Sequence, residues 1–112
     1  MSVRLPAEWE PQDGVLLAWP HENTDWASVL AEVEPVFLRL AEAICRYEQV
    51  VIVTIDRSAL TAKLQAAGMD MSRVTLAEAS YDDTWCRDFG PITTLVDGSP
   101  RLQDFVFNGW GN

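Results

Sequence analysis

The chain has 112 residues, 48% of them hydrophobic and 22% charged, a balance that suits one globular domain and includes no run of about 18 apolar residues able to span a membrane. Seventeen acidic side chains against eight basic give a formal charge of −9, which opposes nucleic-acid binding and favours a cationic small molecule over an anionic one, although acidity for solubility alone gives the same balance. Met1 to Pro6 lack the apolar core of a secretory signal, so a cytoplasmic location is the default expectation.

Gly14 to Trp19 is a short apolar run ended by Pro20 and is predicted to be a strand. Beyond Thr24 or Asp25 as N-cap, apolar residues at Trp26, Val29, Leu30, Val33, Phe37, Leu40, Ala41 and Ile44 follow a helical period as far as about Tyr47. Pro35 lacks an amide donor and crowds the preceding turn, so a kink or break is expected there. Val50 to Ile55 is β-branched and apolar throughout, the pattern of a strand covered on both faces. Asp56 or Ser58 can cap a second helix running to about Ala67, with Gly68 placed for its C-cap.

Arg73 to Ala77 reads as a third strand. Pro91 to Val96 and Arg101 to Phe107 flank the turn-forming cluster Asp97-Gly98-Ser99-Pro100 as a hairpin. The resulting order, β-α-β-α-β, loop, β-β, belongs to the α/β class. The last residues, Asn108-Gly109-Trp110-Gly111-Asn112, are loop-like and aromatic without a polar tail, which is the expectation for a truncated domain. A homo-oligomer that hides this end would be the other way to satisfy it.

The segment Tyr81-Asp82-Asp83-Thr84-Trp85-Cys86-Arg87-Asp88-Phe89-Gly90-Pro91 gathers three aspartates, an arginine and a tryptophan between a strand end and a Gly-Pro turn. Ligands commonly bind at such strand ends in α/β sheets. A planar guanidinium needs a carboxylate that accepts two parallel N–H bonds and an aromatic face to stack on. Asp88 and Trp85, three positions apart, can supply both from one turn. Arg87 would then point away into an ion pair held by Asp82 or Asp83, which also add negative potential. The same residues also suit turn-capping aspartates, a surface ion pair and a core tryptophan.

Three segments resemble the agmatine deiminase family, which includes the bacterial peptidyl-arginine deiminases among the guanidino-group-modifying enzymes. They are Arg4-Leu5-Pro6-Ala7-Glu8-Trp9-Glu10-Pro11 running to Ala18-Trp19-Pro20, Asp82 to Pro91, and Phe107 to Asn112. The resemblance implies a five-bladed α/β propeller of pentein type, in which residues 1–112 would form one ββαβ-type module plus part of a second, as the N-terminal third of a longer enzyme. It implies hydrolysis of a guanidinium to a ureido group and ammonia through a covalent amidino-cysteine, without metal or organic cofactor. The family's substrate-binding aspartate and tryptophan fall on Asp88 and Trp85, and Asp83 and Trp110 are expected to contribute to the same site, with Asp82 and Arg87 as structural support.

The family's nucleophilic cysteine and His-x-Asp pair match no position here and are expected beyond Asn112, so no catalytic residue is assigned in this chain. Cys45 and Cys86, far apart and without CxxC spacing, read as packing residues rather than disulfide partners or metal ligands. His21 reads as a solvated or capping loop residue. Agmatine is the favoured substrate over peptidyl-arginine, because no lysine or arginine from Phe105 onward could bind a carboxylate. A stand-alone, non-catalytic binding module is the alternative from another functional class.

Overall fold

The computed structural model describes residues 1–111, and their strands fall into two three-stranded sheets. In chain order the elements are β1 (Val3–Arg4), β2 (Gly14–Ala18), α1 (Leu30–Cys45), β3 (Gln49–Thr54), α2 (Arg57–Ala66), β4 (Val74–Glu78), α3 (Cys86–Phe89), β5 (Ile92–Val96) and β6 (Ser99–Gln103). They divide into two compact units, Gln12–Thr84 and Met1–Pro11 with the chain from Trp85 onward.

Residues 12–84 carry the β-α-β-α-β order expected from the hydrophobic pattern. β2, β3 and β4 pair in parallel, with Leu17 opposite Ile52 and Ile52 opposite Leu76. Parallel neighbours need crossover connections, which α1 and α2 supply. The two-residue period of β3 puts Val50, Ile52 and Thr54 on a buried face. There Val50 and Ile52 pack with Ala41 and Cys45 of α1, Leu60 and Leu64 of α2, and Trp19. Val51 and Val53 point the other way and are only half-buried. The expected coverage of both faces is therefore corrected to one, since both helices place their apolar stripes on the Val50–Ile52 side.

α2 is bounded as its sequence dictates. The Asp56 carboxylate accepts the Ala59 amide at 3.0 Å. At the other end, Gly68 takes φ 75° while the amides of Gly68 and Met69 donate to the Gln65 and Leu64 carbonyls at 3.0 and 3.1 Å. This is a Schellman closure, and Met69 joins Leu64 in the core.

α1 departs from expectation at two places. The Thr24 hydroxyl is taken up by the backbone of His21, donating to its carbonyl at 2.8 Å, so it caps no helix. The chain first makes a 3-10 turn at Ala27–Val29 and becomes α-helical only at Leu30. Pro35 lies inside the unbroken helix, and the irregular residue is Val29, at φ −129° and ψ 25°. Pro35 sits in the second turn and crowds the carbonyl of Ala31, which belongs to the first turn of α1, where the irregular Val29 separates it from the 3-10 turn. Glu34 ties this unit together, accepting from the Trp19 indole at 2.8 Å and from Lys63 at 2.7 Å.

In the other unit, β5 pairs antiparallel with β1 on one side and β6 on the other. β1 carries no local strand signal. It is two residues long and exists through partners distant in sequence, with Ser2 and Asp97 exchanging two 2.8 Å bonds at its end. The hairpin turn is only Asp97–Gly98, with φ 50° and 80°, the left-handed pair of a two-residue type I′ turn. Ser99 and Pro100, expected in the turn, thus lie in β6, an edge strand where proline is tolerated. The expected strand to Phe107 stops at Gln103. Its partner begins at Ile92, after Gly90-Pro91, so later residues have nothing to pair with.

Candidate functional site

α3 is a single helical turn built on the Trp85–Asp88 spacing. The Asp88 amide donates to the Trp85 carbonyl at 3.0 Å and that of Gly90 to the Cys86 carbonyl at 2.7 Å. Gly90 then returns to extended backbone and Pro91 follows, which ends the helix. Trp85, at the N-cap, is 46% exposed and Asp88 is exposed. One turn therefore carries both residues, Trp85 at its N-cap and Asp88 within it, and both are exposed.

Arg87 pairs with Glu8, not with the expected Asp82 or Asp83, at 4.0 Å with both side chains more than nine-tenths exposed. Such a pair contributes little. Trp110 belongs to the same unit as α3 and stands at φ 60°, ψ 30°, a left-handed conformation rare for a bulky residue. Its ring meets Phe107 edge-on at 4.9 Å, and Phe107 lies 6.0 Å from Phe89 of α3. An aromatic chain thus connects the Trp85–Asp88 turn to Trp110.

Asp82 and Asp83 fall in the unit of residues 12–84. Asp83 accepts the Thr84 amide at 2.7 Å. Burial pushes its carboxyl above the usual range, and the neighbouring acids Asp25 and Asp82 push it further, Asp25 also through a hydrogen bond. The structure therefore groups Trp85, Arg87, Asp88 and Trp110 in one unit and sets Asp83 among acids in the other.

His21 is not solvated. It is 7% exposed, with its ring edge-on to Tyr81 at 4.8 Å. The Asn23 amide donates to Nδ1 at 3.1 Å, which leaves the proton on Nε2 to be donated to the Tyr81 carbonyl at 3.0 Å. Its capping role within the loop is real, while burial comes from Tyr81, sixty positions away and beyond any local pattern. Tyr81 itself donates to the Trp19 carbonyl at 2.6 Å. Burial first, and Asp70 second, raise the Cys45 thiol, as for a packed rather than a reactive cysteine. A concavity of about 210 Å³ at the carboxyl ends of β2 and β3 is lined by Trp19, His21, Leu30, Glu34, Leu60 and Tyr81 among others, and not by the candidate residues. No helix among the described residues is long and apolar enough to cross a membrane.

The family model of the Porphyromonas-type peptidyl-arginine deiminases matches residues 4–112. The chain belongs to this deiminase family. Among relatives, it is 35% identical over 108 residues to an agmatine deiminase of Stutzerimonas stutzeri, covering 96% of this chain and 28% of that protein. It is 36% identical over 111 residues to an agmatine deiminase of Pseudomonas aeruginosa, covering 98% and 29% respectively. A Cys-to-Ser variant of a C. jejuni agmatine deiminase with substrate bound matches in structure with a TM-score of 0.87 and 28% identity, covering 99% of this chain and 32% of that one. The chain thus spans about 30% of the length of the deiminases it matches.

Proposed function

We propose that the chain is the N-terminal part of a cytoplasmic guanidine deiminase that hydrolyses agmatine to N-carbamoylputrescine and ammonia, and that it contributes guanidinium-binding residues. The observation that carries this reading is the match, over 99% of the chain, to an agmatine deiminase with substrate bound. Asp88 accepts hydrogen bonds from the guanidinium nitrogens and Trp85 stacks on its delocalised face, a combination suited to a flat cation. Asp83 adds negative potential, and Asp82 and Arg87 support the segment. Trp110 receives the ammonium end of agmatine. The fold of the whole enzyme is a five-bladed α/β propeller, of which residues 1–112 form one ββαβ-type module and part of a second. The thiol nucleophile and its histidine come from later modules, and neither metal nor organic cofactor takes part.

Peptidyl-arginine is the second reading, favoured by the description of the matching family. Its carboxylate would need a cationic partner, which residues 105–112 do not carry. Asp88→Asn in the intact enzyme tests the site by keeping shape and removing charge. It is expected to remove about 2–4 kcal/mol of transition-state stabilisation, roughly a 30- to 1000-fold fall in kcat/KM for agmatine. Unchanged turnover removes Asp88 from the site, and preferential turnover of a peptide ending in arginine replaces agmatine as substrate.

A further inference from the structure

Segment 81–84 has no regular secondary structure, yet it leads by a single peptide bond into the Trp85–Asp88 turn. A stretch without a hydrogen-bonded ladder would ordinarily be among the most mobile parts of a fold. Here it is held by the loop of residues 19–26, in the same unit. Tyr81 is fixed through its hydroxyl to Trp19, through its carbonyl to His21 and through its ring to the imidazole. The loop that does this is itself rigid: the Thr24 hydroxyl donates to the His21 carbonyl, and the Ala27 amide to that of Thr24.

At the far end of the segment, the Trp26 indole N–H donates to the Thr84 hydroxyl at 2.9 Å, across 58 positions of sequence and partly buried. Thr84 is the last residue before Trp85. We propose that Trp26 and Thr84 are positioning residues, whose hydrogen bond fixes the chain at the residue from which the guanidinium-recognising turn departs. This rests on the reading of Trp85 and Asp88 given above. In this role their effect passes through the backbone at Thr84 and not through contact with substrate. A shift of about 1 Å in such an element can cost on the order of 100-fold in rate, although it barely alters the fold.

The test uses the intact enzyme with agmatine. Trp26→Phe keeps the ring packing and loses the donor, while Thr84→Val keeps the shape and loses the acceptor. Each is expected to lower kcat by about 10-fold or more, with a smaller change in KM and a similar Tm. The double variant should be no slower than either single one, because both remove the same bond. Thr84→Ser, which keeps the hydroxyl, should restore most of kcat. Unchanged kcat in both single variants, effects that multiply in the double variant, or a Thr84→Ser enzyme as slow as Thr84→Val would each overturn the proposal. Should Trp26→Phe fail to fold, the Thr84→Val and Thr84→Ser comparison decides alone. Asp88→Asn measured alongside separates the two ideas: loss there with normal Trp26 and Thr84 variants rejects only the clamp, while normal turnover there rejects both.

Discussion

The carboxyl groups of Glu10 and Asp83 are displaced in opposite directions, and each displacement has a consequence for stability. Glu10 accepts from both terminal nitrogens of Arg4, at 2.8 and 2.9 Å, and from the Ala7 amide at 2.6 Å. Hydrogen bonding to Arg4 first, then to Ala7, lowers its pKa to about 2. A carboxyl depressed on folding contributes stability above its unfolded pKa, and that contribution is lost as pH falls from about 4.5 toward 2. Asp83 is the converse, because burial and then the nearby acids raise it. Its contribution is present at low pH and lost as pH rises through the carboxylate range. Tm measured against pH should therefore show Glu10→Gln losing its deficit on acidification, while Asp83→Asn gains on the wild type as pH rises toward neutrality. Parallel curves would show that neither displacement exists in solution. Asn at position 83 still accepts from the Thr84 amide, so stabilisation by Asp83→Asn accompanied by weaker agmatine binding is the trade-off expected of an acid kept for its charge.

Elements whose signals are local were legible from residue order, and elements made by distant partners were not. α2 could be bounded at both ends because Asp56 and Gly68 act within a few residues of themselves. β1 could not, since Val3 and Arg4 are strand only by virtue of Val96 and Leu95. α1 starts later than its pattern predicts for a related reason, as Thr24 is a residue suited to a cap but its hydroxyl goes to His21. The Trp85–Asp88 turn is a local spacing and could be read, whereas the bonds of Trp26 to Thr84 and of His21 to Tyr81 cross 58 and 60 positions of sequence. The local signals also rank two substitutions on α2. Gly68 has φ 75° and open space where a Cβ would stand, so Gly68→Ala costs only the backbone conformation, about 1–2 kcal/mol. Leu64 is wholly buried, so Leu64→Ala leaves a cavity and costs about 2–5 kcal/mol. Thermal unfolding should show the larger fall in Tm for Leu64→Ala, and the reverse order would mean that the Schellman turn, not the core, limits this unit.

On the proposed reading, recognition and reactivity separate across the chain. Trp85 and Asp88 are assigned to the guanidinium, but a deiminase of the proposed kind also needs a thiolate and a proton partner for it. Cys45 is buried with its thiol raised, the wrong direction for a nucleophile at neutral pH. Both ring nitrogens of His21 are engaged with backbone groups, which fixes its tautomer for structure rather than proton transfer. Cys86 is half-buried in α3, next to Trp85, and is the one remaining cysteine of the sequence. The 112-residue chain alone is therefore expected to release no ammonia from agmatine above the buffer rate. Turnover abolished by Cys86→Ser in the intact enzyme would show instead that the segment proposed for recognition carries its own nucleophile, and the proposed division of labour would have to be redrawn around α3.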